Sequence, residues 1–161
     1  MLKWIAGALA VGSGYLLLKS SQLKQLSKEF IIRTNVRVHQ FTGLTITFAV
    51  DVVIINPTDA SVLIEHPFVT IFNSPTALKN NEPFVTSELR KETYRIKPNV
   101  ETAFSPIFLK IDFFNATIGS ALWKMLQALL AKDKITLYVR TTAKVAGIKT
   151  IEQVKDFTYG G

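Results

Sequence analysis

Residues Leu44 to Ile55 read LTITFAVDVVII, and this stretch decides the fold class of the chain. Large apolar side chains recur at every second position, from Leu44 through Phe48 to Ile54, and smaller or polar side chains lie between them. A period of two places neighbouring side chains on opposite faces of a strand. We therefore predict a long antiparallel strand with one face in the core, and we expect Asp51 on the opposite, exposed face.

Turn signals on either side of this strand divide the chain into further short strands. Asn56-Pro57-Thr58-Asp59 has the composition of a turn, because asparagine tolerates unusual backbone angles and proline fixes φ and lacks an N–H. Pro67 marks an edge or bulge inside the next strand. The other predicted strands are Val36–Val38, Val62–Phe72, Pro83–Val85, Glu92–Ile96, a single strand over 103–113, and a closing hairpin of 134–145 and 148–159. We predict about seven strands in all.

One helix interrupts the strands. Residues Asn115 to Ala131 carry leucines and other apolar side chains at helical spacing, and Asn115 or Thr117 can cap the first turn. The predicted fold class is mainly β: an antiparallel β-sandwich over residues 30–161 with one inserted helix, preceded by a hydrophobic N-terminal helix.

The N-terminal hydrophobic run, Trp4 to Leu18, contains no charged residue and is bounded by Lys3 and Lys19. As a helix its fifteen residues reach about 22 Å, and snorkelling lysines bring it near the ~30 Å of a bilayer core. Aromatic rings at Trp4 and Tyr15 suit the two interfaces. We predict a membrane anchor made by Trp4, Ile5, Leu9, Val11, Tyr15, Leu16, Leu17 and Leu18.

Two other interpretations of this run remain open. A secretory signal peptide has a similar composition, although Ala8-Leu9-Ala10 comes too early to follow a full apolar region. A helix buried in a protein assembly is the other. Ala6, Ala10 and Gly14 recur at every fourth residue and form a small-residue face that lets another helix pack closely, in lipid or in protein.

Basic residues surround the run and dominate the whole chain. The sequence has 19 lysines and arginines against 12 acidic residues, a net charge of +7. Such an excess favours anionic surroundings, either lipid headgroups or nucleic acid. The predicted headgroup or anion contacts are Lys3, Lys19, Lys24 and Lys28. We assign residues 1–29 to an anchor helix with an amphipathic stalk.

In its order of features the body resembles the late-embryogenesis-abundant (LEA) proteins of the water-stress and hypersensitive-response (WHy) type. The resemblance spans about Phe30 to Tyr159 and rests on the strand ending in Asn56-Pro57, the Ile96-Lys97-Pro98 turn, the leucine-rich helix and the final strand pair. The family commonly repeats asparagine after the proline, whereas this chain has Thr58. The resemblance implies a fibronectin-like β-sandwich, often membrane-tethered, with a role in stress protection or binding and no active site.

The residues that chemistry would need are sparse. The chain has no cysteine, and its two histidines, His39 and His66, lie on separate predicted strands, where we expect solvent-facing or edge positions. Phe104, Phe108, Phe113 and Phe114 are predicted to pack in the core rather than to stack on nucleic acid. We predict no catalytic residue, no metal site and no cofactor, and we expect the protein not to be an enzyme.

Two functions are consistent with these features. The first is a non-enzymatic, membrane-anchored sandwich with a structural, scaffolding or stress-protective binding role. The second is a structural protein of a large assembly such as a phage virion, with or without an internal membrane, in which the N-terminal helix packs in lipid or against other subunits. The expected partners are a lipid membrane and other protein subunits; nucleic acid has weaker support, and no small-molecule substrate is expected.

Overall fold

The computed structural model describes residues 30–113, 120–147 and 149–160. The described chain is mainly β and forms two antiparallel sheets. The strands are β1 Ile31–Thr42, β2 Thr45–Ile55, β3 Val62–Glu65, β4 Phe68–Phe72, β5 Val85–Thr86, β6 Thr93–Ile96, β7 Glu101–Ala103, β8 Ile107–Asp112, β9 Ile135–Val145 and β10 Lys149–Tyr159. The predicted anchor and stalk, residues 1–29, lie outside the described residues.

The first sheet is built on β2, the strand that the alternating pattern predicted. β1 pairs with one side of β2 from Ile31↔Ile55 to Thr42↔Thr45, and a register shift between Val38 and Gln40 marks a bulge. β7 and β8 pair with its other side. The single strand predicted over 103–113 is therefore wrong; the chain leaves the sheet around Pro106, which has no N–H to donate to the ladder.

The second sheet is built on β9, which pairs with β10 along its whole length. On its other side β9 pairs with β4 and then with β3, and the strand order is β5-β4-β9-β3-β6. The predicted closing hairpin is confirmed. The predicted strand Val62–Phe72 is two strands, and the division falls at His66 and Pro67.

A single hydrophobic core lies between the two sheets. Isoleucine, valine, leucine and phenylalanine side chains from the inward faces of both sheets are buried together. Phe48, Val50 and Val52 come from the centre of β2, and Leu137 and Val139 face them from β9. The alternation in Leu44–Ile55 thus predicted which face of β2 would be buried.

Two helices occur among the described residues, where the sequence predicted one. α2, Ser120–Ala131, is the described part of the predicted helix, and its Met125 and Leu126 are buried. α1, Pro75–Asn80, was not predicted. The Ser74 hydroxyl caps its first turn by accepting from the Ala77 N–H, and the left-handed Asn81 closes it. A six-residue helix is too short for an apolar period to show.

The strands define two ends of the molecule. The Phe30 end contains the start of β1, the turn after Ile55, the β6–β7 turn, and the β9–β10 turn. The α2 end contains the opposite ends of β1, β8 and β10 and the start of β9. The described chain therefore begins at the end farthest from α2.

Candidate functional site

None of the predicted site residues falls among the described ones. The anchor residues Trp4, Ile5, Leu9, Val11, Tyr15, Leu16, Leu17 and Leu18, the small-residue face Ala6, Ala10 and Gly14, and the lysines Lys3, Lys19, Lys24 and Lys28 all lie in residues 1–29. Within residues 30–113, 120–147 and 149–160, no helix has the length and apolar character needed to cross a bilayer. The candidate site in the body is a product of the fold rather than of a motif.

The two sheets meet along a seam between their edge strands, β1 and β10. In the middle of the seam, the hydroxyls of Thr34 and Thr141 lie 2.9 Å apart, and the Thr34 hydroxyl donates to Gln153 Oε1 at 3.2 Å. Thr34 has only one hydroxyl proton, so Thr141 must donate to Thr34. Both threonines are buried, and this chain of hydrogen bonds joins the sheets inside the apolar core.

Towards the α2 end, Tyr159 closes the seam. Its hydroxyl donates to the Val36 carbonyl at 2.7 Å, and its ring lies 6.3 Å from that of Phe48. Burial raises the pKa of Tyr159 to about 12, because the charged phenolate would lose its solvation. The hydroxyl therefore stays protonated and keeps its hydrogen bond at every physiological pH.

Towards the Phe30 end, the seam opens into a groove of about 400 Å³. Its lining residues are Phe30, Ile31 and Ile32 on the β1 side and Thr150, Ile151, Glu152 and Gln153 on the β10 side. Ile32 and Ile151 are buried, whereas Thr150 and Glu152 are exposed at the surface. The groove thus has two nearly buried isoleucine side chains at its base and one carboxylate at its rim, and its lining is more polar than apolar. Its volume is in the usual range for ligand sites.

Asn56 holds the turns of the Phe30 end in place, which gives a physical meaning to the Asn56-Pro57 signal. Its side chain is 0% exposed. Its Nδ2 donates to the carbonyls of Ala60, at 2.8 Å, and Ile96, at 3.3 Å. Its Oδ1 accepts from the Thr58 N–H at 3.1 Å and from the Thr58 hydroxyl at 2.7 Å. One amide thereby ties the turn after β2 to the end of β6.

His66 is not at a solvent-facing or edge position, and that prediction was wrong. The side chain is 5% exposed and packs against the rings of Tyr94 and Phe104 at 5.8 and 6.0 Å. Its Nδ1 donates to the Pro67 carbonyl at 2.9 Å, since a carbonyl can only accept. The Tyr94 hydroxyl donates to Glu92, and this bond is the main reason that the pKa of Tyr94 is raised. The cluster is a packed corner between β3 and β4.

The other predictions for single residues had mixed outcomes. Asp51 lies on the outer face of the first sheet as expected, where it accepts from Arg37 at 3.2 Å. Phe104 is buried, but Phe108 is 54% exposed and contacts the exposed His39 with ring centroids 4.9 Å apart. β8 has only one face in the core, and Phe108 points to the other. Phe114 lies outside the described residues.

Arg140 was not singled out by the sequence, yet it fixes α1 to the second sheet. Its guanidinium donates to Asn81 Oδ1 at 2.8 Å and to the Leu78 carbonyl at 3.1 Å, and it lies 4.9 Å from the centre of the Phe72 ring. Its Nε is buried and has no hydrogen-bond partner in the part of the chain that the structure describes. This arrangement is structural, because the guanidinium is occupied by the chain's own groups.

Comparison with known proteins adds little about function. No protein-family model matches the chain, and no curated protein matches it. A crystal structure of a protein from Archaeoglobus fulgidus is similar with a TM-score of 0.49 and 10% identity, over 80% of this chain and 95% of that chain. The X-ray structure of the Northeast Structural Genomics Consortium target SoR45 has a TM-score of 0.43 and 14% identity, over 81% and 85%. Neither similarity assigns a function to this chain.

Proposed function

We propose that this protein is a non-enzymatic, membrane-anchored β-sandwich of the fibronectin-like LEA/WHy type, with a structural, scaffolding or stress-protective binding role. The observation that carries the proposal is where the described body begins relative to the hydrophobic run. The body begins with Phe30 beside the groove, and the hydrophobic run ends at Leu18. Residues 19–29 span at most about 40 Å in any conformation. A membrane that held the anchor would therefore lie within about 40 Å of Phe30.

The experiment is flotation of the full-length protein with liposomes on a density gradient. The wild-type protein is expected to float. An arginine at the centre of the hydrophobic run, Leu9→Arg, adds about 3 kcal/mol to the cost of insertion and should leave the protein at the bottom of the gradient. The matched control is Leu63→Arg, the same change at an exposed leucine of the body, which should float like the wild type. A wild-type protein that stays at the bottom without detergent refutes the anchor.

The second candidate, a structural subunit of a large assembly such as a virion, is favoured by one observation on α2. Trp123 and Leu130 are 55% and 64% exposed, and their spacing of seven residues places them on the same face of the helix. Exposed large apolar side chains that share a face are typical of contacts with another protein. This face lies at the end of the body away from Phe30, so a subunit bound there would leave the groove free.

Native mass measurement separates the two candidates. A subunit of an assembly purifies in a particle of fixed stoichiometry, and the double change Trp123→Ser and Leu130→Ser should release it. A membrane-anchored module instead needs detergent and is unaffected in mass by that change. Trp123 and Leu130 are exposed, so the double variant should fold as well as the wild type.

A further inference from the structure

The groove between β1 and β10 is bounded by strand edges rather than by side-chain faces. Its lining includes consecutive residues on both sides, 30–32 and 150–153. Successive side chains of a strand point to opposite faces, so a wall that contains both residue i and residue i+1 is the edge of that strand. An edge presents backbone N–H and C=O groups, which are ready to pair with another strand.

Hydrogen bonds elsewhere in the sheet show which residues of β1 direct these groups at the groove. The Val36 carbonyl accepts from Tyr159, so it points away from β2. In an antiparallel pair, residues alternate between directing both groups at the neighbour and directing both away. The register is continuous from Ile31 to Val38, so Ile32 also points both groups at the free edge. The hydrogen bonds of β2 support this alternation. Val52, which lies opposite Thr34, directs its carbonyl away from β1, where it accepts from the Phe104 N–H.

The same argument applies to β10 through β9. Val69 and Ile71 of β4 direct their carbonyls away from β9, to the N–H groups of Ser87 and Phe84, so the even-numbered residues of β4 pair with β9. Their partners in β9 are also even-numbered, for example Arg140 opposite Thr70. The odd-numbered residues of β9 then pair towards β10. The register from Lys149 to Tyr159 is continuous. Thr150 and Glu152 are therefore the residues of β10 that direct N–H and C=O at the groove.

The rest of the seam is protected against pairing with another strand. The Val36 carbonyl already accepts a hydrogen bond from the Tyr159 hydroxyl, and the hydrogen bond from Thr34 to Gln153 holds the two edge strands together. Lys155 is exposed although its position in β10 faces inward, which is a common protection of edge strands. Within residues 30–113, 120–147 and 149–160, no such protection covers the stretch beside Ile32, Thr150 and Glu152.

We propose that this groove binds an extended segment of a partner polypeptide by β-strand addition to the Thr150–Glu152 edge of β10. The backbone of the segment pairs with the two N–H and two C=O groups of Thr150 and Glu152. Its alternate apolar side chains reach Ile32 and Ile151 on the floor of the groove. A lysine or arginine meets the Glu152 carboxylate at the rim. The proposal rests on the proposed binding role of the sandwich and gives that role a site and a ligand class.

The experiment is selection from a random nine-residue peptide library on the full-length protein, in detergent micelles if flotation shows that it needs them. The affinity of the best synthetic peptide is then measured by fluorescence anisotropy. We expect selected peptides to alternate apolar residues and to contain lysine or arginine. N-methylation of alternate backbone nitrogens, which keeps the side chains but removes N–H donors, should weaken binding about tenfold per lost hydrogen bond.

The protein variants use proline to remove one edge N–H at a time. Thr150→Pro and Glu152→Pro should each weaken binding about tenfold, because these N–H groups are not used by the sheet. Asp156→Pro is the matched control, since it lies at the same edge of β10 outside the groove, and it should bind like the wild type. Glu152→Gln should weaken the binding of peptides that contain a basic residue about two- to fivefold. If a proline variant does not fold, the N-methylated peptide still tests the proposal.

Each of the other outcomes overturns the proposal. These outcomes are a selection that yields no peptide, equal binding of the N-methylated peptide, or equal losses with Asp156→Pro and Thr150→Pro. Concentration-dependent dimerisation that Thr150→Pro abolishes would identify a second copy of this chain as the occupant instead of a partner. None of these results changes flotation, so failure of this proposal and failure of the membrane anchor are separable.

Discussion

The sharpest prediction about the fold concerns Asn56→Ala. The change removes the amide from a site with no exposure and breaks its four hydrogen bonds, to the carbonyls of Ala60 and Ile96 and to the N–H and hydroxyl of Thr58. The Thr58 hydroxyl keeps the Ala60 carbonyl as an acceptor, 3.3 Å away. Each hydrogen bond contributes about 0.5–1.5 kcal/mol net, and some of the freed groups regain water because they lie in a surface turn. We expect the free energy of unfolding to fall by about 3 kcal/mol.

The assay is urea unfolding of the full-length protein followed by far-ultraviolet circular dichroism. For a slope near ~1.5 kcal/mol/M, the midpoint should fall by about 2 M. The control is Asn35→Ala, at an exposed position of β1, which should change the free energy of unfolding by less than about 0.5 kcal/mol. Equal effects of the two substitutions would refute the assignment of a structural role to the Asn56 network.

Asn56→Asp tests the direction of the hydrogen bonds. The oxygen that replaces Nδ2 would face two carbonyl acceptors, so the buried carboxylate is unfavourable and its pKa in the folded state is expected above that of the unfolded chain. Because the folded pKa is above the unfolded value, the variant is most stable below the unfolded pKa and becomes less stable as the pH rises. The difference in the free energy of unfolding between the wild type and the variant should therefore become smaller in acid. A difference independent of pH would show that Nδ2 is not the donor.

Three further substitutions test other parts of the fold. Ala146 has a φ of 49°, which strains any residue with a Cβ, so Ala146→Gly should raise the free energy of unfolding by about 0.5–1 kcal/mol. Ala143→Gly in the adjoining strand β9 should instead lower it by about 1 kcal/mol. Urea midpoints compare the two, and a loss of stability in both variants would show that Ala146 is not strained. Burial raises the pKa of Tyr159 from 10 to about 12, so stability that depends on the protonated hydroxyl is lost as the pH rises from 10 to 12. Because the side chain is only half-buried, we expect this loss to be about 1–2 kcal/mol. Thermal unfolding of the wild type and Tyr159→Phe should show the difference, and identical alkaline profiles would exclude it. Arg140→Met should lower the free energy of unfolding by about 1–2 kcal/mol, because the guanidinium binds Asn81 at the end of α1. Amide hydrogen exchange should become faster in α1 than in the rest of the described chain. An equal increase of the exchange rate everywhere would contradict a local role.

The sequence predicted the parts of the fold in which a periodic pattern meets a buried surface. Leu44–Ile55 alternates because one face of β2 is in the core, and the closing hairpin was visible for the same reason. The helix α2 was visible because its apolar residues recur at helical spacing. These signals depend on residues close together in the chain, which one sequence contains in full.

The incorrect predictions of burial, at His66 and Phe108, have a different physical origin. Nothing near His66 in the sequence indicates that Tyr94 and Phe104, 28 and 38 residues later, pack against it. Phe108 has the composition of a core residue and is exposed only because β8 lies at a particular register against β2. Partners distant in the chain determine burial at such positions, so a local pattern does not predict them.

The candidate site shows the same limit most clearly. Phe30–Ile32 and Thr150–Gln153 belong to opposite ends of the body in sequence, and neither stretch carries a motif. They form a groove only because β1 and β10 are the edge strands of two sheets that share a core. The alternation of hydrogen bonding then decides that Thr150 and Glu152, rather than Ile151, offer their backbone to a partner. Main-chain hydrogen bonds supply much of the affinity of such a site, so a search of side-chain motifs would pass over it even when the fold is known.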